Sequence, residues 1–146
     1  MIHIRHATIN DIDAVVELKV GLKKYYEKIG ANPYVVQDKK SKVQKNIDKY
    51  YLAEYKNEVV GVIGFESNGH RGHITAVFVK PEYRGYGIGK ALFDYIEKLA
   101  FELKLEYIQL TVRETNEVAK AFYNKRHFKP EAIILKKEII EKVVDK

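Results

Sequence analysis

Residues 84–90 read Arg-Gly-Tyr-Gly-Ile-Gly-Lys, three glycines alternating with larger residues between two cations. Glycine permits a backbone path in which successive N–H groups converge, and it leaves no side chain between those donors and a ligand. Directly downstream, Ile88, Leu92, Ile96, Leu99 and Leu103 recur at helical spacing, so the loop should open a helix whose first amides and dipole favour negative charge. The chemistry this predicts is the grip of an anion, above all a diphosphate, by the loop's main-chain amides, with Arg84 and Lys90 adding charge. A plain strand-to-helix connection uses glycines as well, and the loop alone does not separate the two readings.

Spacing does separate it from two other phosphate-binding loops. A Walker A loop requires Gly-x4-Gly-Lys and then Ser or Thr. Here Ala91 follows Gly89-Lys90, and Arg84 stands five residues before Gly89. The dinucleotide fingerprint G-x-G-x-x-G fails too, because counting from Gly85 and Gly87 puts Lys90 at the third glycine.

The elements that must position this loop follow from periodicity. Ile2 and Ile4 alternate into a short strand, after which Thr8 or Asn10 can cap a helix carrying Ile12, Val15, Val16, Leu22, Tyr25, Tyr26 and Ile29, stopped at Gly30. Residues 31–40 read as loop, and Ser41 to Gln44 fits a capping box opening a shorter helix that ends near Tyr50. Segments 50–55, 58–66 and 72–79 are β-rich and separated by Lys56-Asn57 and Asn68-Gly69, an antiparallel meander. After the glycine loop and its helix come a strand at 107–112, a short helix at 116–126 that Asn116 can cap, and further strands from Phe128 and at Ile133-Ile134-Leu135. Glu138, Glu141, Lys142 and Asp145 mark a solvated end. The crossover from 72–79 to 107–112 should be right-handed and pair its strands in parallel. The expected fold class is mixed α/β: a mostly antiparallel sheet with a parallel central pair and helices on both faces, in one domain over 1–146.

Composition sets limits on function. The 146 residues carry 26 Lys and Arg against 20 Asp and Glu, a formal net charge of +6, which favours an anionic partner without choosing among nucleic acid, membrane surface and phosphorylated cofactor. The chain has no cysteine, which excludes disulfides, thiolate catalysis and cysteine-based zinc sites and leaves cytoplasmic localisation as the expectation. Met1 to His6 lacks an apolar signal core, and no apolar run reaches the ~20 residues of a membrane span.

A second motif bears on the loop. Val79-Lys80-Pro81, Arg84 to Gly89, Leu110-Thr111-Val112, and Asn116, Ala119, Phe122 and Tyr123 occur in that order and at characteristic separations. Together, over about residues 74–130, they resemble the GNAT superfamily of N-acetyltransferases. The resemblance implies acetyl-CoA as co-substrate and no metal. It places the diphosphate on the backbone N–H groups of Gly85, Gly87, Ile88, Gly89 and Lys90, with Arg84 and Tyr86 beside it. The pantetheine arm would run along Val77, Phe78 and Val79 as an added strand, and Asn116 would serve as a cofactor contact, a role compatible with capping its helix.

The implied reaction is direct attack by a neutral amine on the thioester within a ternary complex. Tyr123 would be the general acid, since a phenol near pKa 10 holds its proton at neutral pH and can deliver it to a leaving thiolate of pKa about 8.5. His73, on a strand where several family members carry a glutamate, is the candidate base, with Glu66 or water as alternatives. The family usually has glycine where His127 stands, so a left-handed residue there would be strained by about 1–2 kcal/mol. The acceptor expected is a small-molecule amine rather than a protein N-terminus, and a homodimer is compatible with the tyrosines of residues 22–51. The alternative is a non-catalytic acyl-CoA-binding or regulatory module of the same fold. Nucleic acid is not expected, because the basic residues lack the interleaved aromatics of such modules, and neither is a membrane partner.

Overall fold

The computed structural model describes residues 1–140, which group into two compact units, Met1–Thr115 and the segment from Asn116 onward. The first contains a five-stranded sheet in sequence order, β1 (Ile2–His6), β2 (Tyr50–Tyr55), β3 (Glu58–Asn68), β4 (Arg71–Val79) and β5 (Tyr107–Leu110). The first three pairings are antiparallel and β4 with β5 is parallel, the mixed arrangement expected. Lys56 and Asn57 both take positive φ, 52° and 64°, in the β2–β3 turn, and Gly69 (φ 65°) turns β3 into β4, the primed geometry that matches strand twist.

Two helices cover opposite faces. On β2 and β3, Leu52 opposes Val62 in register and both pack in one core with Val15, Leu18 and Leu22 of α1 (Ile12–Lys28). The neighbouring pair Ala53 and Gly61 points the other way, where a Cβ on Gly61 would lie 3.2 Å from Ile88 and 3.3 Å from Leu92 of α3 (Ile88–Glu102). In α3 the buried stripe is Ile88, Leu92, Phe93, Ile96 and Ala100; Leu103, expected on it, is the exposed cap residue. α1 starts behind a capping box made by Thr8 and Asp11, and the Asp11 carboxylate accepts from the two terminal guanidinium nitrogens of Arg5 at 2.7 and 2.8 Å. Arg5 also donates to Glu54 at 2.7 Å, so a single cation ties β1 and β2 to the helix start.

The capping box expected at Ser41 is not formed. α2 (Lys40–Lys45) begins two residues earlier, with Lys39 at its cap and no side-chain capping bond, which puts Ser41 inside the helix. In the second unit, α4 (Glu117–Lys125) is followed by irregular chain from Phe128 to Ile140, so the strands expected from Phe128 and at 133–135 are absent there. Ile133, Ile134 and Leu135 are exposed. β propensity makes a strand only where a ladder partner and a face to bury are at hand, and among the described residues nothing pairs with this triplet. Glu138 is exposed as expected, while Glu141, Lys142 and Asp145 lie outside the described residues. Among the described residues, no helix is long and apolar enough to cross a membrane.

Candidate active site

β4 is held along its whole length by β3 but only in part by β5. The β3 ladder runs from Asn68 opposite Arg71 to Gly61 opposite Val79, whereas β5 pairs only Arg71 to Ile74. The register on β3 jumps from Phe65 opposite Ile74 to Gly64 opposite Ala76, leaving Thr75 as a bulge that bends the strand where its parallel neighbour departs. Gly64 makes this possible: a Cβ there would sit 2.2 Å from the Thr75 hydroxyl. Past the bulge, the main chain of Ala76 to Val79 has β3 on one side and, among the described residues, no ladder partner on the other. Such an edge can accept one more extended chain. Phe78 is buried beneath α1, where a Cβ on Gly21 would come within 2.6 Å of its ring, and Val77 and Val79 are half-buried.

β4 runs into a 3-10 turn, Pro81–Tyr83, and then into the glycine loop. Gly85 (φ 86°) and Gly87 (φ 83°) are both left-handed, and an added Cβ at either would meet nothing within 4 Å. Glycine is therefore required there by backbone conformation, not by crowding. The first helical bond of α3 runs from the Ala91 N–H to the Gly87 carbonyl at 3.0 Å. The amides of Ile88, Gly89 and Lys90 precede it, in the positions that a helix leaves without intrahelical acceptors. Ile88 is buried and anchors this turn.

The flanking side chains divide. The Arg84 Nε donates to the Val79 carbonyl at 3.1 Å, and its guanidinium lies 5.3 and 5.4 Å from the ring centroids of Tyr25 and Phe78, so Arg84 fastens the loop to the end of β4 while bringing charge. Lys90 pairs with Asp94 one turn on at 2.8 Å, an exposed contact of little energetic weight. Tyr86 is exposed and sits edge-on to Tyr55 and Tyr83. Glu58 steadies the turn, accepting from the Lys80 ammonium and the Tyr83 hydroxyl, both at 3.0 Å. The Lys80 bond lowers the Glu58 pKa, and Glu58 in turn raises that of Tyr83.

A cavity of about 370 Å³ opens on the α1 side of the same sheet. His73 and Glu66 are cross-strand partners and both line it. The Glu66 carboxylate is 3.2 Å from the Lys49 ammonium, which leaves the exposed His73 imidazole the less encumbered of the two candidate bases. The same cavity is lined by Lys19 and Arg113, neither of which the sequence reading singled out. Lys19 did leave a trace: with Val15, Leu18 and Leu22 it completes an i, i+3, i+4, i+7 stripe, a lysine at a position patterned for the core.

The unit from Asn116 onward has its own logic. The Asn116 side chain accepts the Ala119 N–H at 3.2 Å, the capping bond expected. At the other end Phe128 N–H bonds the Tyr123 carbonyl at 3.0 Å and His127 N–H bonds that of Asn124 at 3.0 Å, a Schellman motif with His127 at φ 70°. His127 thus holds the left-handed position where glycine is usual. The Tyr123 ring is half-buried between Phe122 and Phe128, with centroids at 5.8 and 5.7 Å. Val118 is exposed.

The family model described as Acetyltransferase (GNAT) family matches residues 17–128, from the middle of α1 through the helix end at His127. The chain belongs to that family. It is 33% identical over 105 residues to an acetyltransferase of Pectobacterium atrosepticum, covering 71% of this chain and 74% of that one. Its structure is similar to that of the PaiA N-acetyltransferase of Thermoplasma acidophilum in complex with coenzyme A (TM-score 0.81, 25% identity, 90% of this chain and 91% of the other). It is also similar to a possible acetyltransferase of Clostridium difficile (TM-score 0.73, 26% identity, 97% and 99%). The resemblance drawn from residues 74–130 is borne out, and so is the fold class.

Proposed function

We propose that this GNAT acetyltransferase moves the acetyl group of acetyl-CoA to a primary amine by direct attack in a ternary complex, and that the acceptor is a small molecule rather than a protein N-terminus. The observation that carries the reading is the continuity of two main-chain features. The strand edge that has no ladder partner among the described residues, Ala76 to Val79, leads within a few residues to the glycine loop and the first amides of α3, which a helix leaves without intrahelical acceptors. An amide-bearing arm can pair with the first, and a diphosphate suits the second. The open space around Gly85 and Gly87 is consistent with a ligand approaching that backbone closely. The Thermoplasma relative, crystallised with coenzyme A, supports the same choice.

Acetyl-CoA supplies an acetyl thioester whose carbonyl carbon an amine can attack and whose thiolate leaves. Each remaining task falls to this chain. A β4 N–H near Val79 polarises the carbonyl oxygen, the role of an oxyanion hole. His73, on the cavity wall, accepts the proton that an amine of ordinary basicity must lose before it attacks, directly or through water. The Tyr123 hydroxyl, assigned by its place in the family motif, holds a proton for the departing sulfur, and Asn116 contacts the cofactor while capping α4.

The test is release of the CoA thiol from acetyl-CoA across a panel of amines, in wild type and in Tyr123→Phe. Turnover with at least one amine, reduced in the variant, supports the reading. Binding of acetyl-CoA with no amine acetylated would instead favour the non-catalytic acyl-CoA-binding module.

A further inference from the structure

The cavity beside His73 has an unbalanced charge. Lys19, Lys49 and Arg113 line it against a single carboxylate, Glu66, and that carboxylate is already engaged by Lys49. Lys19 is only 6% exposed, and its Nζ donates at 3.1 Å to the Tyr50 hydroxyl while lying 5.2 Å from that ring's centroid. Among the described residues no carboxylate comes within ion-pair distance of Lys19 or Arg113. The Arg113 guanidinium rests 5.8 Å from the centroid of Tyr26. A buried cation with only a phenol and a π face for company is costly unless something anionic completes it. Cations gathered in one cavity repel a further positive charge.

We infer that this cavity takes an amine that also carries an anionic group, a carboxylate or a phosphate, seated on Lys19 and Arg113 so that its amino end faces His73. The inference rests on the acetyltransferase reading and gives its acceptor a chemical class. Glu66 lies across the strand pair from His73, so the one carboxylate of the lining accompanies the base that would meet the amino group. Lys19 and Arg113 are the cations that a negative charge would complete. Diamines and polyamines, which bring a second positive charge to Lys19, are disfavoured by the same arrangement. A volume of about 370 Å³ suits a metabolite-sized molecule.

The experiment compares β-alanine, 4-aminobutyrate and O-phosphoethanolamine with propylamine, ethanolamine, putrescine and spermidine, both in the acetyl-CoA turnover assay and by calorimetry of the amines alone. Wild type should prefer an anionic amine over its neutral analogue by at least ~100-fold in kcat/KM or Kd, the carboxylates and the phosphate showing which anion is taken. Lys19→Met, an apolar replacement of similar length, and Arg113→Gln, at a more exposed position, should each cut that ratio at least tenfold. Preference for putrescine or spermidine, or an anionic preference that survives both substitutions, overturns the inference while leaving the acetyltransferase intact. Anionic amines that bind through Lys19 and Arg113 but are never acetylated would uphold the inference and sink the catalytic reading. Binding of none of the anionic amines overturns the inference.

Discussion

The proposed donor side and the proposed acceptor side of this sheet are made of different material. The donor side is main chain: the edge of β4 past the Thr75 bulge, the left-handed Gly85 and Gly87, and the first amides of α3, all within residues 75–90. The acceptor side is side chain, and its cavity draws on α1, β3, β4 and the stretch after β5, with Lys19, Glu66, His73 and Arg113 spread over almost a hundred positions. A backbone site tolerates many side chains but few backbone conformations, whereas a side-chain site can be rewritten one residue at a time. The first suits a co-substrate shared across a family, and the second an acceptor that differs from member to member.

Substitutions can break this contrast. The largest effect should come from Tyr123→Phe, with kcat lowered about 100-fold or more, the scale of general acid catalysis, and the KM for acetyl-CoA nearly unchanged. Steady-state kinetics decides it, and an unchanged kcat removes Tyr123 from the proton path. The support beneath α1 comes next. The Arg5 guanidinium and the Thr8 amide hold the carboxyl of Asp11 down at about 2, against an ordinary 3.8. A depressed carboxyl stabilises the fold above its unfolded pKa, and that contribution is lost as pH falls through the folded value. Asp11→Asn should therefore cost about 2 kcal/mol at pH 7, and the gap from wild type should close between pH 4 and about pH 2 in denaturant titrations.

Gly87→Val tests the backbone side. A β-branched residue at φ 83° is strained by at least about 1–2 kcal/mol, so calorimetry should show acetyl-CoA binding weakened about tenfold or more while the acceptor preference is kept. Gly87→Asn, which accepts that conformation more easily, should lose less. The smallest effect is expected of His127→Gly. Replacing histidine at φ 70° of a Schellman motif should raise stability by about 1 kcal/mol or less, seen as a higher midpoint in thermal unfolding.

The same contrast explains what was legible in the chain. The glycine loop, the meander and the α3 stripe are local patterns, so their elements could be read in order, as could the Asn116 cap. The early end of the β4–β5 ladder could not, because it depends on the Thr75 bulge and on Gly64 across from it, a pairing that no local pattern announces. Lys19 was missed since a single lysine on an amphipathic helix ordinarily reaches solvent. Its burial is visible only once Tyr50, thirty-one positions away, closes over it. Ile133 to Leu135 shows the converse, a local pattern for a strand with no ladder partner among the described residues.

The account stands most directly on the claim that main-chain amides at the start of α3 hold the cofactor by its diphosphate. Calorimetry of acetyl-CoA against S-acetylpantetheine, which keeps the arm and thioester but lacks the diphosphate, measures that claim. The account predicts a clear heat for acetyl-CoA and at least ~100-fold weaker binding of the truncated compound. Equal affinity for the two, or no binding of acetyl-CoA at all, would contradict it.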